Sequence, residues 1–237
     1  MEKLQEEFIS TISHELRTPL TSIRGFSQTL LNSWDKIKDD DKKKFIGIIE
    51  EQSNRLINLV ENILSVSKIS SEKQVLKQVC INRTIEKVIT IISHQYIDFK
   101  FIKNFDKNNP TARLDEDKFI QVIMNLLDNA AKYSDKKKEV LISTSIKMNN
   151  IVIQIKDYGI GIKETDYSKI FKKFSRLENH LTSKTQGNGL GLYITYELVS
   201  KMGGKISFSS IENEGTVFEI TFPIYNPEEA LKCSQTS

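Results

Sequence analysis

Phe8-Ile9-Ser10-Thr11-Ile12-Ser13-His14-Glu15-Leu16-Arg17-Thr18-Pro19-Leu20 has one apolar side and one polar side. Leu4, Phe8, Ile12, Leu16, Leu20, Ile23, Phe26 and Leu30 recur at steps of three or four, the spacing of an amphipathic helix. At about 100° per residue, His14 falls on the face opposite that stripe, with Ser10 and Thr18 a turn away on either side. Pro19 removes one backbone donor, which predicts a bend just past His14. An exposed histidine implies nothing by itself; its meaning depends on the rest of the chain.

A polar connection, about residues 32 to 41, separates this helix from a second one over about residues 42 to 69. Trp34 lies in the connection, as an expected packing cap at the hairpin tip. Phe45, Ile49, Gln52, Leu56, Leu59, Ile63 and Val66 alternate steps of four and three, a heptad seam. Ile46, Ile48, Ile57, Val60 and Leu64 widen it beyond what one hairpin covers. Two hairpins pairing as a four-helix bundle would bury that face, so a homodimer through the hairpin is expected. Packing against the downstream segment is the alternative.

The chain has 237 residues, ordinary apolar content and a net charge of +3, too small to argue for nucleic acid. Cys80 and Cys233 lie far apart without metal-ligand spacing, which suits inert thiols in a reducing, cytoplasmic compartment. No apolar run reaches membrane-spanning length, so no membrane contact is expected from this segment. It could still be the cytoplasmic part of a membrane-anchored sensor.

After a short hinge near Ser70 to Lys73 the periodicity changes. Gln74 to Cys80 reads as a strand, and Asn82 as the cap of a helix to about His94. Asp98 to Phe105 and Ala112 to Leu114 read as strands, and Asp115 caps a helix to about Tyr133. Val140 to Lys147 and Ile151 to Lys156 pair around Asn149-Asn150. Gly189 to Met202 is a helix ended by Gly203-Gly204, and Lys205 to Ser210 with Thr216 to Pro223 closes the pattern. This is a multidomain chain: an all-α hairpin over 1–73, an α+β two-layer sandwich over 74–224, and a flexible tail over 225–237.

Three constellations stand out. Asn125, Asn129, Lys132 and Tyr133 form a polar stripe on the otherwise apolar helix after Asp115. Amides there cost stability unless satisfied; a magnesium ion fits amide oxygens, with Lys132 reaching a phosphate. Two asparagines bonded to nearby backbone are the simpler reading. Asp157-Tyr158-Gly159-Ile160-Gly161-Ile162 follows a strand, and its carboxylate can accept from an exocyclic amine such as adenine's. Gly187-Asn188-Gly189-Leu190-Gly191-Leu192 opens a helix, where exposed N–H groups cradle phosphate. It is neither a Walker A nor a dinucleotide fingerprint. Glu164 to Gln186 between the glycine runs reads as a mobile lid, anchored by Phe171 and Phe174, with Arg176 reaching a terminal phosphate.

Together these residues resemble the transmitter region of bacterial-type sensor histidine kinases, over about residues 1 to 224. Five boxes match in order: Ser13 to Leu20, Asn125 to Ser134, Asp157 to Ile162, Ile170 to Arg176, and Gly187 to Leu192, followed by a closing Gly215-Thr216-Val217-Phe218. Tyr158 and Asn188 depart mildly from the family's usual smaller or hydroxylated residues. The resemblance implies a helical hairpin followed by an ATP-binding domain of the histidine kinase/gyrase type. It implies that His14 is the phosphoacceptor, that Glu15 orients its ring and takes its proton, and that Thr18 positions water for dephosphorylation of a partner. ATP and Mg2+ are the implied cofactors. Asn129, with Asn125, would hold the metal; Lys132 and Arg176 would contact phosphates; Asp157 would read the adenine amine. Tyr133, Gly159, Gly161, Ile162, Leu190 and Thr216 would border the nucleotide, and Gly187, Gly189 and Gly191 its phosphates. The implied partner is a response-regulator receiver domain on a separate protein, since no receiver-like acidic cluster is present. A related ATPase, as in topoisomerases, mismatch-repair proteins or heat-shock chaperones, would lack the His14 helix. A nucleotide-binding dimerisation module without kinase activity is the other reading.

Overall fold

The computed structural model describes residues 2–71, 74–134, 137–175 and 188–225. Two long antiparallel helices come first: α1, Glu2–Ser33, and α2, Asp39–Ser71. Helix α1 runs through Pro19 without a break, and that proline is buried. Helix α2 starts earlier than its apolar pattern because Asp39, Asp40 and Asp41 fill its first turn, where acidic groups favour the helix dipole. The Phe26 and Phe45 rings meet at 5.1 Å between centroids inside the hairpin. Trp34 is not a packing cap: half its surface is open, and the Lys42 ammonium sits over its ring at 4.7 Å.

The remaining elements are β1 (Lys77–Cys80), α3 (Ile81–Gln95), β2 (Lys100–Asn104), β3 (Thr111–Leu114) and α4 (Glu116–Tyr133), then β4 (Glu139–Lys147), β5 (Asn150–Lys156), α5 (Gly191–Lys201), β6 (Lys205–Ile211) and β7 (Gly215–Pro223). Five strands form one sheet in the order β2-β4-β5-β7-β6, while β1 and β3 pair separately. The sheet is mixed: β2 runs parallel to β4, and every other pairing is antiparallel.

Period-two alternation makes one sheet face apolar. Ile142 pairs with Ile155, Ile153 with Ile220, and Ile151 with Phe222, placing these side chains on a common face. The Phe222 ring contacts Phe119 of α4 edge-on at 5.9 Å, so that face meets the helical layer. Asp115 caps α4 by accepting from the Lys118 N–H at 3.2 Å. Asn82 is not a cap. It is buried inside α3, donates to the Asp106 carbonyl and Asn109 Oδ1, and accepts from the Thr144 hydroxyl at 2.8 Å. The residue thus pins α3 to the loop after β2 and to β4.

The hairpin packs on this layer as well. Leu59 and Ile69 of α2 are buried in the same apolar cluster as Leu190, Ile194 and Leu198. In the single chain Ile46, Ile57, Val60 and Leu64 stay exposed, so the α2 seam has one face on α1 and the second domain and another uncovered. No helix among the described residues is long and apolar enough to cross a membrane.

Candidate functional site

The site is built where α4, α5, the end of β5 and the start of β7 converge beside the hairpin. Strand β5 ends at Lys156, and β7 pulls Asp157 into the layer: the Asp157 N–H donates to the Thr216 carbonyl at 2.9 Å. Asp157 Oδ1 accepts from the Gly159 N–H at 2.9 Å and the Thr216 N–H at 3.1 Å. Both bonds fall on Oδ1, so Oδ2 is left for the cavity that Asp157 lines. Burial pushes this carboxyl up to about 6 from its ordinary 3.8, against the lowering effect of the two backbone donors.

The glycines after Asp157 are there for steric reasons. A β-carbon at Gly159 would collide with the Tyr133 carbonyl at the end of α4. Gly161 has φ +64 and no room beside the Ile211 carbonyl. The Ser210 hydroxyl braces the loop by accepting from the Ile162 N–H at 2.9 Å and bonding Thr216 Oγ1 at 2.8 Å. Tyr167 adds a bond from its hydroxyl to the Ser210 carbonyl.

Helix α5 begins at Gly191, two residues later than its apolar pattern suggests. Gly189 has φ +67 and lies against the Phe174 and Ser175 backbone. Gly191 allows α5 to approach Asn125 of α4, whose amide donates to the Thr195 hydroxyl at 2.7 Å. Asn125 therefore ties two helices together, with its Oδ1 lying against Gly191. Asn129, one turn on, lines the cavity, and its side chain has no hydrogen-bond partner among the described residues. Lys132 is not free in the cavity: its ammonium pairs with Asp128 Oδ2 at 2.6 Å, and Asp128 Oδ1 accepts from the Tyr96 hydroxyl at 2.7 Å.

These groups surround a cavity of about 620 Å³, within the usual range for a small-molecule site. Asn125, Asn129, Lys132, Tyr133, Asp157, Gly161, Ile162, Gly189, Gly191 and Thr216 line it. Gly159 does not line it but bonds Asp157, which does, and Leu190 is fully buried between the lining Gly189 and Gly191. Arg176 and Gly187 lie outside the described residues, as do residues 176–186 of the expected lid and 226–237 of the expected tail. The described part of the stretch expected as a lid is packed: Phe171 contacts Tyr196 at 5.4 Å and Phe208 at 5.9 Å.

The hairpin closes the cavity's far wall. Glu15, Arg55, Asn58 and Asn62 line it together with the residues above. Glu15 does not bond His14; its Oε2 pairs with Arg55 of α2 at 3.2 Å. His14 is exposed next to Glu15, and its carbonyl accepts from the Thr18 hydroxyl at 3.3 Å. Arg55, Thr195 and Ser210 are not among the expected site residues. Their contacts cross 40, 70 and 48 residues of chain, and no local pattern carries such pairings.

No cluster of three or more metal-ligating His, Cys, Asp or Glu occurs among the described residues. A metal here would rest on amide oxygens and on the ligand's own phosphates. The Asn129 amide, without a hydrogen-bond partner among the described residues, and the neighbouring Asn125 oxygen are donors of the kind such a hard cation takes.

Two family models match the chain. Residues 4–72 match the His Kinase A (phospho-acceptor) domain. Residues 114–226 match the histidine kinase-, DNA gyrase B- and HSP90-like ATPase. The sensor protein kinase WalK of Staphylococcus aureus is 37% identical over 229 residues, covering 94% of this chain and 54% of that sequence. The chain spans about half the length, or less, of the curated relatives it matches. The histidine kinase AdeS of Acinetobacter baumannii superposes with a TM-score of 0.69 at 25% identity, over 90% of this chain and 98% of that one. The histidine kinase ThkA, solved in complex with the response regulator protein TrrA, gives a TM-score of 0.75 at 23% identity, over 96% and 64%. A phospho-acceptor hairpin followed by this ATPase fold, with the Asn, Asp and Gly residues around one cavity, places the chain among the transmitter regions of two-component sensor histidine kinases.

Proposed function

We propose that this chain binds Mg-ATP in the 620 Å³ cavity, moves the γ-phosphoryl group to His14, and passes it to an aspartate of a response regulator. The carrying observation is that one cavity is lined both by the Asp157–Asn129 wall and by Glu15 of the phospho-acceptor helix. Asp157 Oδ2 accepts the adenine amine. The N–H groups at Gly189 and Gly191 meet the phosphates at the start of α5. Asn129, helped by the Asn125 oxygen, holds magnesium, which when bound neutralises charge on the phosphate oxygens. Lys132 and Arg176 add positive charge to the same end. Tyr133 and Ile162 border the base, with Thr216 fixing Asp157 from behind.

At the other end, His14 is the nucleophile, and its exposure lets both the ATP-binding domain and a receiver approach it. Glu15, held by Arg55, turns from that partner to accept the imidazole proton. Thr18 lies one turn away to position water for hydrolysis of the partner's aspartyl phosphate. The hairpin over 1–73 dimerises through the uncovered Ile46, Ile57, Val60 and Leu64, and 74–224 is the ATP-binding unit. The segment works on the cytoplasmic side.

The test is incubation with magnesium and γ-labelled ATP. Label that is acid-labile and alkali-stable, and lost in His14→Gln while nucleotide still binds, supports the reading. Equal labelling of His14→Gln would overturn it.

A further inference from the structure

Lys132 carries an ammonium on a flexible four-carbon stem, which must be ordered before it can meet a phosphate at a fixed place. In this fold the ordering is done by two groups that the nucleotide reading does not use. Tyr96 follows α3, its N–H donating to the Ile92 carbonyl at 3.0 Å and its ring meeting Phe99 edge-on at 5.6 Å. Its hydroxyl takes Oδ1 of Asp128, which fixes the carboxylate plane and leaves Oδ2 for Lys132 at 2.6 Å. Asp128 and Lys132 are one turn apart on α4, and both line the cavity. Burial, and then the Asp128 charge, push the Tyr96 phenol above its ordinary range, so it stays a donor throughout the working range of pH.

We propose that Tyr96 and Asp128 are positioning residues that hold the Lys132 ammonium at the cavity rim, ready for the polyphosphate of the nucleotide. The inference rests on the reading of Lys132 as a phosphate contact. The ammonium has three N–H donors: on entry of the nucleotide one stays on Asp128 Oδ2, whose plane Tyr96 fixes, and another meets the phosphates. The selectivity this implies is for the phosphorylated part of the ligand, not for the base.

Calorimetric titration of Mg-ADP and of adenosine separates the possibilities. Tyr96→Phe should weaken ADP about five- to tenfold, the scale of one ordinary hydrogen bond's worth of positioning, and leave adenosine unchanged. In a Lys132→Ala background it should add nothing. Asp128→Glu keeps the charge but displaces the ammonium by a methylene, and should give the same ADP-selective loss if Tyr96→Phe does not fold. Equal losses for ADP and adenosine, or full additivity with Lys132→Ala, would show a merely structural role and overturn the proposal. Lys132→Ala weakening ADP while both Tyr96→Phe and Asp128→Glu do not would overturn it and leave the phosphate reading standing. Full ADP affinity in Lys132→Ala would overturn that reading and the proposal together.

Discussion

Replacing Asp157 by asparagine should stabilise the ligand-free protein and abolish its use of ATP. Asp157 is 5% exposed, and its carboxyl is raised from 3.8 to about 6, burial outweighing the Gly159 and Thr216 donors. The folded state therefore binds a proton more tightly than the unfolded chain. Stability is unaffected by this group below about pH 4, falls as pH rises from about 4 to about 6, and carries the full loss above that. The two values differ enough to cost about 3 kcal/mol at pH 8. In the Asp157→Asn variant the amide oxygen would still accept from both backbone N–H groups, and nothing at that position would ionise. Urea unfolding at pH 4 and pH 8, followed by far-UV circular dichroism, measures the gain. The single tryptophan, Trp34, sits on the hairpin, so its fluorescence would report the wrong region. A gain of about 2–3 kcal/mol at pH 8 that vanishes near pH 4 is expected. Loss of ATP binding should accompany it, because the amide NH2 would face the adenine amine donor to donor. A variant less stable than the parent at pH 8, or a gain independent of pH, would refute the burial argument.

Gly159→Ala should lower stability by about 1–3 kcal/mol, the usual cost of forcing atoms into a packed site, since its β-carbon meets the Tyr133 carbonyl; chemical denaturation checks this, and an unchanged midpoint contradicts it. Asn129→Ala should lose the magnesium-dependent part of ATP affinity, measured by titration with and without the metal; affinity equal to the parent's with magnesium present would remove Asn129 from the metal site. Thr18→Ala should spare labelling from γ-labelled ATP but slow dephosphorylation of a phosphorylated receiver by about a hundredfold, the scale of losing the placement of the attacking water. A normal phosphatase rate would exclude that role.

Much of this arrangement is legible in residue order because it is local. Asp115 capping α4, the β4–β5 hairpin and the glycines after Asp157 and before α5 each follow from a few neighbouring residues. The placement of Asn82 does not: an Asn near a helix start looks like a cap, and only the fold brings Asp106, Asn109 and Thr144 around its amide. Trp34 looks like a packing residue, yet Lys42 a few residues on gives it a cation instead. Glu15 stands beside His14 in the sequence, and its pairing with Arg55, 40 residues on along the facing helix, is a contact that no local pattern carries. The Asp128–Lys132 pair, four apart on one helix, is a contact that spacing alone could suggest. Contacts between distant stretches, such as Asn125 with Thr195 across two helices and the Ser210 hydroxyl of β6 with the Ile162 N–H of the loop after β5, are set by topology and invisible in residue order.

Where the γ-phosphoryl group of ATP comes to rest decides whether this chain is a histidine kinase in deed as well as in fold. Tandem mass spectrometry after incubation with Mg-ATP, with the digest kept at alkaline pH, locates it most directly. One phosphate on the peptide carrying His14, localised to the imidazole and absent without magnesium, is the expected result. Phosphate on another residue, or an unmodified His14 in protein that demonstrably binds ATP, would contradict the assignment.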